Sequence, residues 1–283
     1  MKGPPPFDPQ VPSIARTYDY LLGGKDHYPA DREIGEIFFQ QFPGAVKIAL
    51  DNRACLVRAV DYMARQLGIG QFLDLGSGLP TVDNVHQVAQ RVNTQARVVY
   101  VDNDPIVLAH GRALLEENEF TTVISADMRQ PEEILKHAEV RGLIDFTQPV
   151  AIIASAILHH ILDEEDPMGV MGTLRDAVPA GSCLFISHFR TLGDPESAAL
   201  EEVMLEAFGR GQWRTDEQIT EYFGGMKLLP PDVVECARWR PTKPPGKLTP
   251  YQRLIVAGLA QTPPPTSPPP TSPPPTSPPP TRV

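Results

Sequence analysis

Five short β-rich runs, at 72–75, 98–101, 121–125, 150–154 and 183–187, alternate with helical stretches at 82–91, 106–117, 131–139 and 168–177. A strand joined to the next through a helix pairs parallel to it, because the crossover carries the chain back to the edge where it started. The alternation therefore predicts an α/β fold: a doubly wound, mostly parallel sheet with helices on both faces. A further helix fits 195–208, and runs at 233–237 and 253–257 read as an edge hairpin. That brings the sheet to seven strands, the last antiparallel. Their linker, RWRPTKPPGKLTPYQ at 238–252, is too rich in proline for regular structure.

Ahead of the sheet, residues 1–12 read as a flexible leader and 13–70 as a helical segment. Ser13 is placed to cap a short helix carrying Ile14, Tyr18, Leu21 and Leu22, which Gly23–Gly24 ends. Pro29 opens a second helix with Ile34, Ile37 and Phe38 on one face. A third fits 47–67, with Ala54, Val57, Val60 and Met63 as core candidates and Gly68 as its stop. The core domain spans 71–260, and 261–283, a PPPTS repeat, reads as a disordered tail with extended polyproline character.

Bulk properties exclude several classes of function. The net charge of −10 and the lack of a dense Lys/Arg run argue against nucleic-acid or anionic-membrane partners. No apolar run reaches the roughly 18 residues of a membrane span, and MKGPPPFDPQ lacks a signal-peptide core. A cytoplasmic protein acting on a small molecule is expected. Cys55, Cys183 and Cys236 show no metal-ligand spacing and read as buried free thiols. Oligomeric state is open.

Ligands of a doubly wound sheet bind beyond the C-terminal strand ends, where strand order reverses. At the first such end, Gly76-Ser77-Gly78 lets backbone approach a ligand closely, and Pro80 suits the first turn of a following helix. Asp102 ends the next strand and can accept from both ribose hydroxyls, with Asn103 or Asp104 beside it; acids and amides also favour turns on their own account. A dinucleotide needs a third small residue where Thr81 stands, and the carboxylate of Asp74 beside the loop opposes a pyrophosphate. S-adenosylmethionine, with no phosphate and with a cationic sulfonium and ammonium, is the better match. A nicotinamide-dependent oxidoreductase is a distant alternative.

These segments also carry a resemblance. DLGSG at 74–78 resembles the first motif of class I S-adenosylmethionine-dependent methyltransferases, VDNDP at 101–105 their second-strand acidic motif, and ADMRQP at 126–131 their adenine motif. PSIARTYDYLLGGKDHYPADRE, together with DLGSGLPT, NVH and VVYVDNDPIVLAH, is similar to one uncharacterised bacterial family known simply as S-adenosyl methyltransferases, formerly a domain of unknown function. The resemblance covers roughly 12–260 and implies a Rossmann-like fold. It implies that Asp74, Gly76, Ser77 and Gly78 surround the methionine end of the cofactor and that Asp102 holds the ribose, with Asn103 beside the adenine. Asp127 would accept from the adenine amino group, Met128 would supply a backbone contact and an apolar surface, and Ser155 and Ala156 would line the pocket near the sulfonium. Leu79-Pro80 departs from the broader class, where many members have another glycine.

Two segments have double readings. YDYLLGGKDHY at 18–28 is a helix, a glycine stop and a turn, or else a lid in which Tyr18 and Tyr20 reach the methyl-transfer end while Gly23, Gly24 and Lys25 bind the cofactor carboxylate. His159 is placed either as a general base or as a structural histidine. The acids at 163–166 suit a solvated helix start better than a metal site. Phe208, Trp213 and Tyr222 are either acceptor-pocket walls or core. The expected activity is methyl transfer to an oxygen or nitrogen of a small molecule; the alternative is a non-catalytic S-adenosylmethionine-binding regulator.

Overall fold

A computed structural model describes residues 8–42, 44, 46–115 and 118–263. The expected tail from 264 onward and most of the leader lie outside the described residues. Helices α1 (Ile14–Leu21), α2 (Pro29–Gln41) and α3 (Val46–Gln66) precede the sheet. Then come β1 (Gln71–Leu75), α4 (Val85–Gln90), β2 (Arg97–Asp102), α5 (Pro105–Leu115), β3 (Thr121–Ser125), α6 (Pro131–Lys136) and α7 (Ala138–Leu143). The chain continues through β4 (Ala151–Ser155), α8 (Pro167–Asp176), β5 (Cys183–Phe189), α9 (Pro195–Phe208), α10 (Asp216–Glu221), β6 (Lys227–Leu228), β7 (Val234–Glu235) and β8 (Ile255–Gln261).

The sheet runs β3-β2-β1-β4-β5-β8-β6, with β7 also paired to β8. Strands β1 to β5 are parallel and β8 is antiparallel to β5. Strand order reverses between β1 and β4, so the crevice for a ligand opens beyond Leu75 and Ser155. Eight strands replace the expected seven because β6 lies ahead of the expected 233–237 arm, of which β7 keeps only Val234–Glu235. Lys227–Leu228 pairs with the far end of β8 and Val234–Glu235 with its near end. Pro230 and Pro231 lie between them and have no N–H for a ladder. Gln261, assigned to the tail by sequence, pairs with Cys183 and belongs to β8.

Alternation along the strands sorts the core into two layers. Phe72, Val98, Tyr100, Ala151, Ile153 and Phe185 pack under α2, α3, α4 and α9. Leu73, Leu75, Val99, Val101, Ile152 and Ile186 pack against α6, α7 and α8. In α3 the buried stripe is Cys55, Leu56, Ala59, Val60 and Met63; Ala54 is exposed, one position off the expected face. Cys55, Cys183 and Cys236 are free and buried, as expected. Among the described residues no helix is long and apolar enough to cross a membrane.

Three local departures have readable causes. The helix expected at 131–139 breaks at His137, whose extended backbone (ψ 134°) ends α6 and whose Nδ1 accepts from the Glu139 N–H to start α7. Helix α10 was not anticipated, although Thr215 and Gln218 exchange side-chain-to-backbone bonds as a capping box. Helix α4 starts at Val85, not 82, because Asp83 is left-handed (φ 61°) and the Asn84 N–H is taken by Gln87. Pro80 therefore stands outside the helix, and the glycine turn is not followed at once by a helix N-terminus.

The N-terminal helices are braced to the end of β2. Ser13 does not cap α1 with its side chain; its Oγ donates to Asp104 Oδ2 at 2.7 Å and its N–H to Asp31 Oδ1 at 2.8 Å. Arg16, 3% exposed, pairs with Asp31 at 2.9 Å and also donates to the Val11 carbonyl. These bonds hold α1 against α2 and beside the C-terminal end of β2.

Candidate functional site

Asp74 occupies a core position of β1. It shares its face with Phe72, under α3, and is only 4% exposed. Among the described residues no group donates a hydrogen bond to its carboxylate. Burial pushes its pKa up to about 7, with Arg53 pulling it down and Asp102 pushing it further up. A buried, unpartnered carboxylate is costly to an empty fold and favourable to a cation entering beside it.

The glycine turn follows. Gly76 and Ser77 donate to the Val101 carbonyl at 2.8 and 3.2 Å, which ties the turn to β2. Gly76 has φ +62°, and a Cβ there would stand 2.4 Å from Ile157 Cγ1. Gly78 donates to Asp102 Oδ2 at 2.9 Å, and Asp102 Oδ1 accepts from the Asp104 N–H at 2.9 Å. Burial raises the Asp102 pKa, and those backbone donors oppose the rise. Asp102 thus fixes the turn and keeps lone pairs for a ligand.

Of the cavities at and beside this turn, three adjoin one another. The first is lined by Ile14, Tyr18, Asn52, Arg53, Asp74, Gly76, Ser77, Gly78, Asp102, Asn103, Ser155 and Ala156. The second runs from Gly76, Asp102 and Asn103 to Ala126, Asp127, Met128, Arg129 and Ile157. The third is apolar and shares Ile14, Tyr18, Asn52 and Ala156 with the first. A polar chain braces the wall between the first and third. The Ala156 N–H donates to Ser187 Oγ at 2.9 Å, and Ser187 donates to Asn52 Oδ1 at 2.6 Å. Asn52 Nδ2 donates to Tyr18 Oη, which donates to the Ala49 carbonyl at 3.0 Å. Ala156 is left-handed (φ 53°), a strained state for a residue with a Cβ, held at the end of β4. The Tyr18 hydroxyl is pushed up to about 12 by burial, so it stays protonated.

Most of the sequence-predicted residues converge here. Asp74, Gly76, Ser77, Gly78, Asp102, Asn103, Ser155, Ala156 and Tyr18 line the first chamber, and Asp127 and Met128 the second. Gly23, Gly24 and Lys25 line none of the three. Gly24 is set by local packing, since a Cβ there would stand 1.9 Å from the Asp19 carboxylate, which also accepts from the Asp26 N–H at 2.9 Å. Tyr20 points away, its hydroxyl on Glu36 and its ring edge-on to His27 at 4.9 Å. Both Asp127 oxygens are taken by Arg129: Nε lies 2.9 and 3.0 Å from them, and the Arg129 N–H donates to Oδ1. An adenine amino group would share this carboxylate with Arg129.

His159 is 1% exposed on the wall of the apolar chamber, its Nδ1 without a partner, and burial holds its pKa well below 6.5. Of the three aromatic walls anticipated, Phe208 lines that chamber. Trp213 stacks on Phe189 at 4.8 Å and Tyr222 on His188 at 5.9 Å, both buried in the core. Asp163 and Glu165 are engaged by Arg214, Arg129 and Arg210.

Sequence reasoning missed Arg53, Asn52 and Ser187. Arg53 donates to the carbonyls of Val82 and Asp83, keeps a buried Nε without a partner, and lines the first chamber near Asp74. On the helix it reads as a surface residue, and only the packing of α3 over β1 makes it a site residue.

The S-adenosyl methyltransferase family model matches residues 2–263. A crystal structure of a putative methyltransferase from Thermobifida fusca YX superposes with a TM-score of 0.87 at 46% identity, covering 90% of this chain and 96% of that one. A DUF574 family protein from Streptomyces avermitilis superposes at 0.86 with 36% identity, covering 90% and 99%. A carboxy-S-adenosyl-L-methionine synthase from Pseudomonas syringae is 22% identical over 239 residues, 83% of this chain and 87% of that protein. The glycine turn, the carboxylates of Asp74 and Asp102 and the Rossmann-like sheet accord with these matches: the chain belongs to the S-adenosyl methyltransferase family, enzymes whose cofactor is S-adenosylmethionine.

Proposed function

We propose that this enzyme methylates an oxygen or nitrogen of a small-molecule acceptor. The observation that carries the reading is the buried, unpartnered Asp74 carboxylate in a chamber that shares a wall with an apolar one. Asp74 fits the cationic methionine end, and Arg53, with its free Nε, fits the α-carboxylate in place of Lys25. Asp102 would hold the ribose, with Asn103 beside it. The adenine would lie in the second chamber on buried Met128, its amino group sharing the Asp127 carboxylate with Arg129. Helix α1, braced by Ser13 and Arg16, would act as the lid through Ile14 and Tyr18.

When bound, the cofactor supplies a methyl group already activated by positive sulfur. The protein's tasks are alignment and exclusion of water. Tyr18, Asn52 and Ser187 hold the wall rigid; Tyr18 takes no proton, its hydroxyl being satisfied and its pKa about 12. A carboxylated cofactor, as the name of the Pseudomonas relative denotes, calls for a cation at the methyl end. Among the described residues no Lys or Arg lines the apolar chamber, which favours methyl transfer. Calorimetry tests the reading: S-adenosylhomocysteine is expected to bind wild type and to lose at least tenfold in affinity with Asp102→Ala. Binding of NAD(H) in its place would overturn it.

A further inference from the structure

The apolar chamber has a composition that selects its occupant. Phe38, Phe189, Phe208, Leu200, Met204 and Ile255 are among its wall, and among the described residues no Lys, Arg, Asp or Glu lines it. A carboxylate, phosphate or alkylammonium entering it would lose its hydration without a counter-charge, a cost of several kcal/mol or more. Yet the chamber is not uniformly apolar. Thr17, His159 and His160 line it, His160 also bordering the second chamber, and each carries a buried polar atom without a hydrogen-bond partner: Thr17 Oγ1, His159 Nδ1 and His160 Nδ1. Buried polar atoms in a folded protein are satisfied as a rule, so three orphans on residues of one cavity wall point to partners that a ligand or an ordered water brings after a small side-chain shift. Burial keeps both histidines neutral, His160 near 3, so each ring offers an acceptor nitrogen at neutral pH and adds no charge. The neighbouring His188 is already used: its Nδ1 donates to the Phe189 carbonyl at 2.6 Å, and Arg214 faces Nε2 at 3.4 Å.

We propose that this chamber is the acceptor site and takes an uncharged, ring-bearing apolar molecule presenting a hydroxyl, which Thr17 and His159 hydrogen-bond. The inference rests on the methyltransferase reading above and narrows it. An aliphatic amine is protonated at neutral pH and is refused by an apolar wall; a hydroxyl enters neutral. The aromatic and methionine side chains suit the face of a ring, and the orphaned polar atoms suit one polar edge. The wall shared through Tyr18 and Ala156 sets that edge toward the cofactor chamber.

The test uses the full chain saturated with S-adenosylhomocysteine and reads binding by calorimetry. 2-Naphthol is expected to bind at least tenfold tighter than 2-naphthoate. Thr17→Val should weaken 2-naphthol about fivefold, the worth of one ordinary hydrogen bond. Met204→Trp, which fills the chamber from α9, should abolish 2-naphthol binding and leave S-adenosylhomocysteine affinity unchanged; Leu200→Trp serves as a second block if the first variant loses cofactor affinity. Equal binding of naphthol and naphthoate, no binding of either, or naphthol binding untouched by both blocks would overturn the inference. Failure of S-adenosylhomocysteine itself to bind would instead overturn the cofactor reading beneath it.

Discussion

Replacing Asp74 with Asn removes a charge that the fold buries without a donor, so the variant is expected to be more stable than wild type and to hold the cofactor more weakly. The carboxyl titrates at 3.8 when exposed and at about 7 here. A tenfold change in a protonation equilibrium is worth about 1.4 kcal/mol, so ionised Asp74 costs the empty protein roughly 4 kcal/mol above pH 7. The folded pKa lies above the unfolded one. Below pH 4 both states hold the proton and no cost arises; as pH rises through 7 the native state loses relative stability until the full cost is reached. Asparagine does not ionise, so its advantage over wild type should be about 4 kcal/mol at pH 8 and under about 2 kcal/mol at pH 5. For a domain of this size that is on the order of 10 °C in Tm at pH 8. Thermal and urea unfolding of both proteins without cofactor, at the two pH values, measure it. A variant no more stable than wild type at pH 8, or one with the same gain at both pH values, would refute the reasoning. In the same preparations the affinity of D74N for S-adenosylmethionine should fall on the order of 30-fold or more at pH 8, through loss of a buried charge–charge contact.

Wild-type affinity for S-adenosylmethionine should also depend on pH. The cation needs the ionised carboxylate, so affinity is expected to be level above about pH 7 and to fall up to tenfold per pH unit below it, while a profile flat from pH 5 to 8 would contradict the Asp74 assignment. Gly76→Ala should lose about 1–3 kcal/mol of stability and most cofactor binding, because its Cβ meets Ile157 at 2.4 Å in a left-handed backbone; Ile157→Ala added to it should restore part of the stability, which urea titration reads. Arg53→Ala is expected to weaken S-adenosylhomocysteine at least tenfold and Lys25→Ala to leave it unchanged, and the reverse pattern in calorimetry would return the carboxylate to Lys25.

Residues that act through local chain geometry were legible in the sequence. Gly76, Gly78 and Asp102 stand at strand ends, and a strand-turn spacing places them correctly whatever packs above. Pro29 and Pro195 open helices where a missing N–H is harmless, and both boundaries hold. Residues defined by what packs across the sheet were not. Arg53 faces the site only because α3 crosses the end of β1, and Ser187 lies on β5, far along the chain from the Asn52 it donates to. Asp127 lines the second chamber, and its pairing with Arg129 depends on side-chain rotamers that strand spacing does not encode. Lys25 and Tyr20 lie outside the three chambers: their segment matches a motif, and its Gly24, Asp26 and His27 fold the loop around Asp19.

The central proposal is that S-adenosylmethionine occupies the crevice between β1 and β4, with its charged end on Asp74 and its reactive end at the apolar chamber. A crystal structure of the complex with S-adenosylhomocysteine decides the assignment. The ribose is expected on Asp102, the amino-acid end between Asp74 and Arg53, and the sulfur facing the wall formed by Tyr18 and Ala156. A ligand bound away from Asp74, or with its sulfur turned from the apolar chamber, would contradict it.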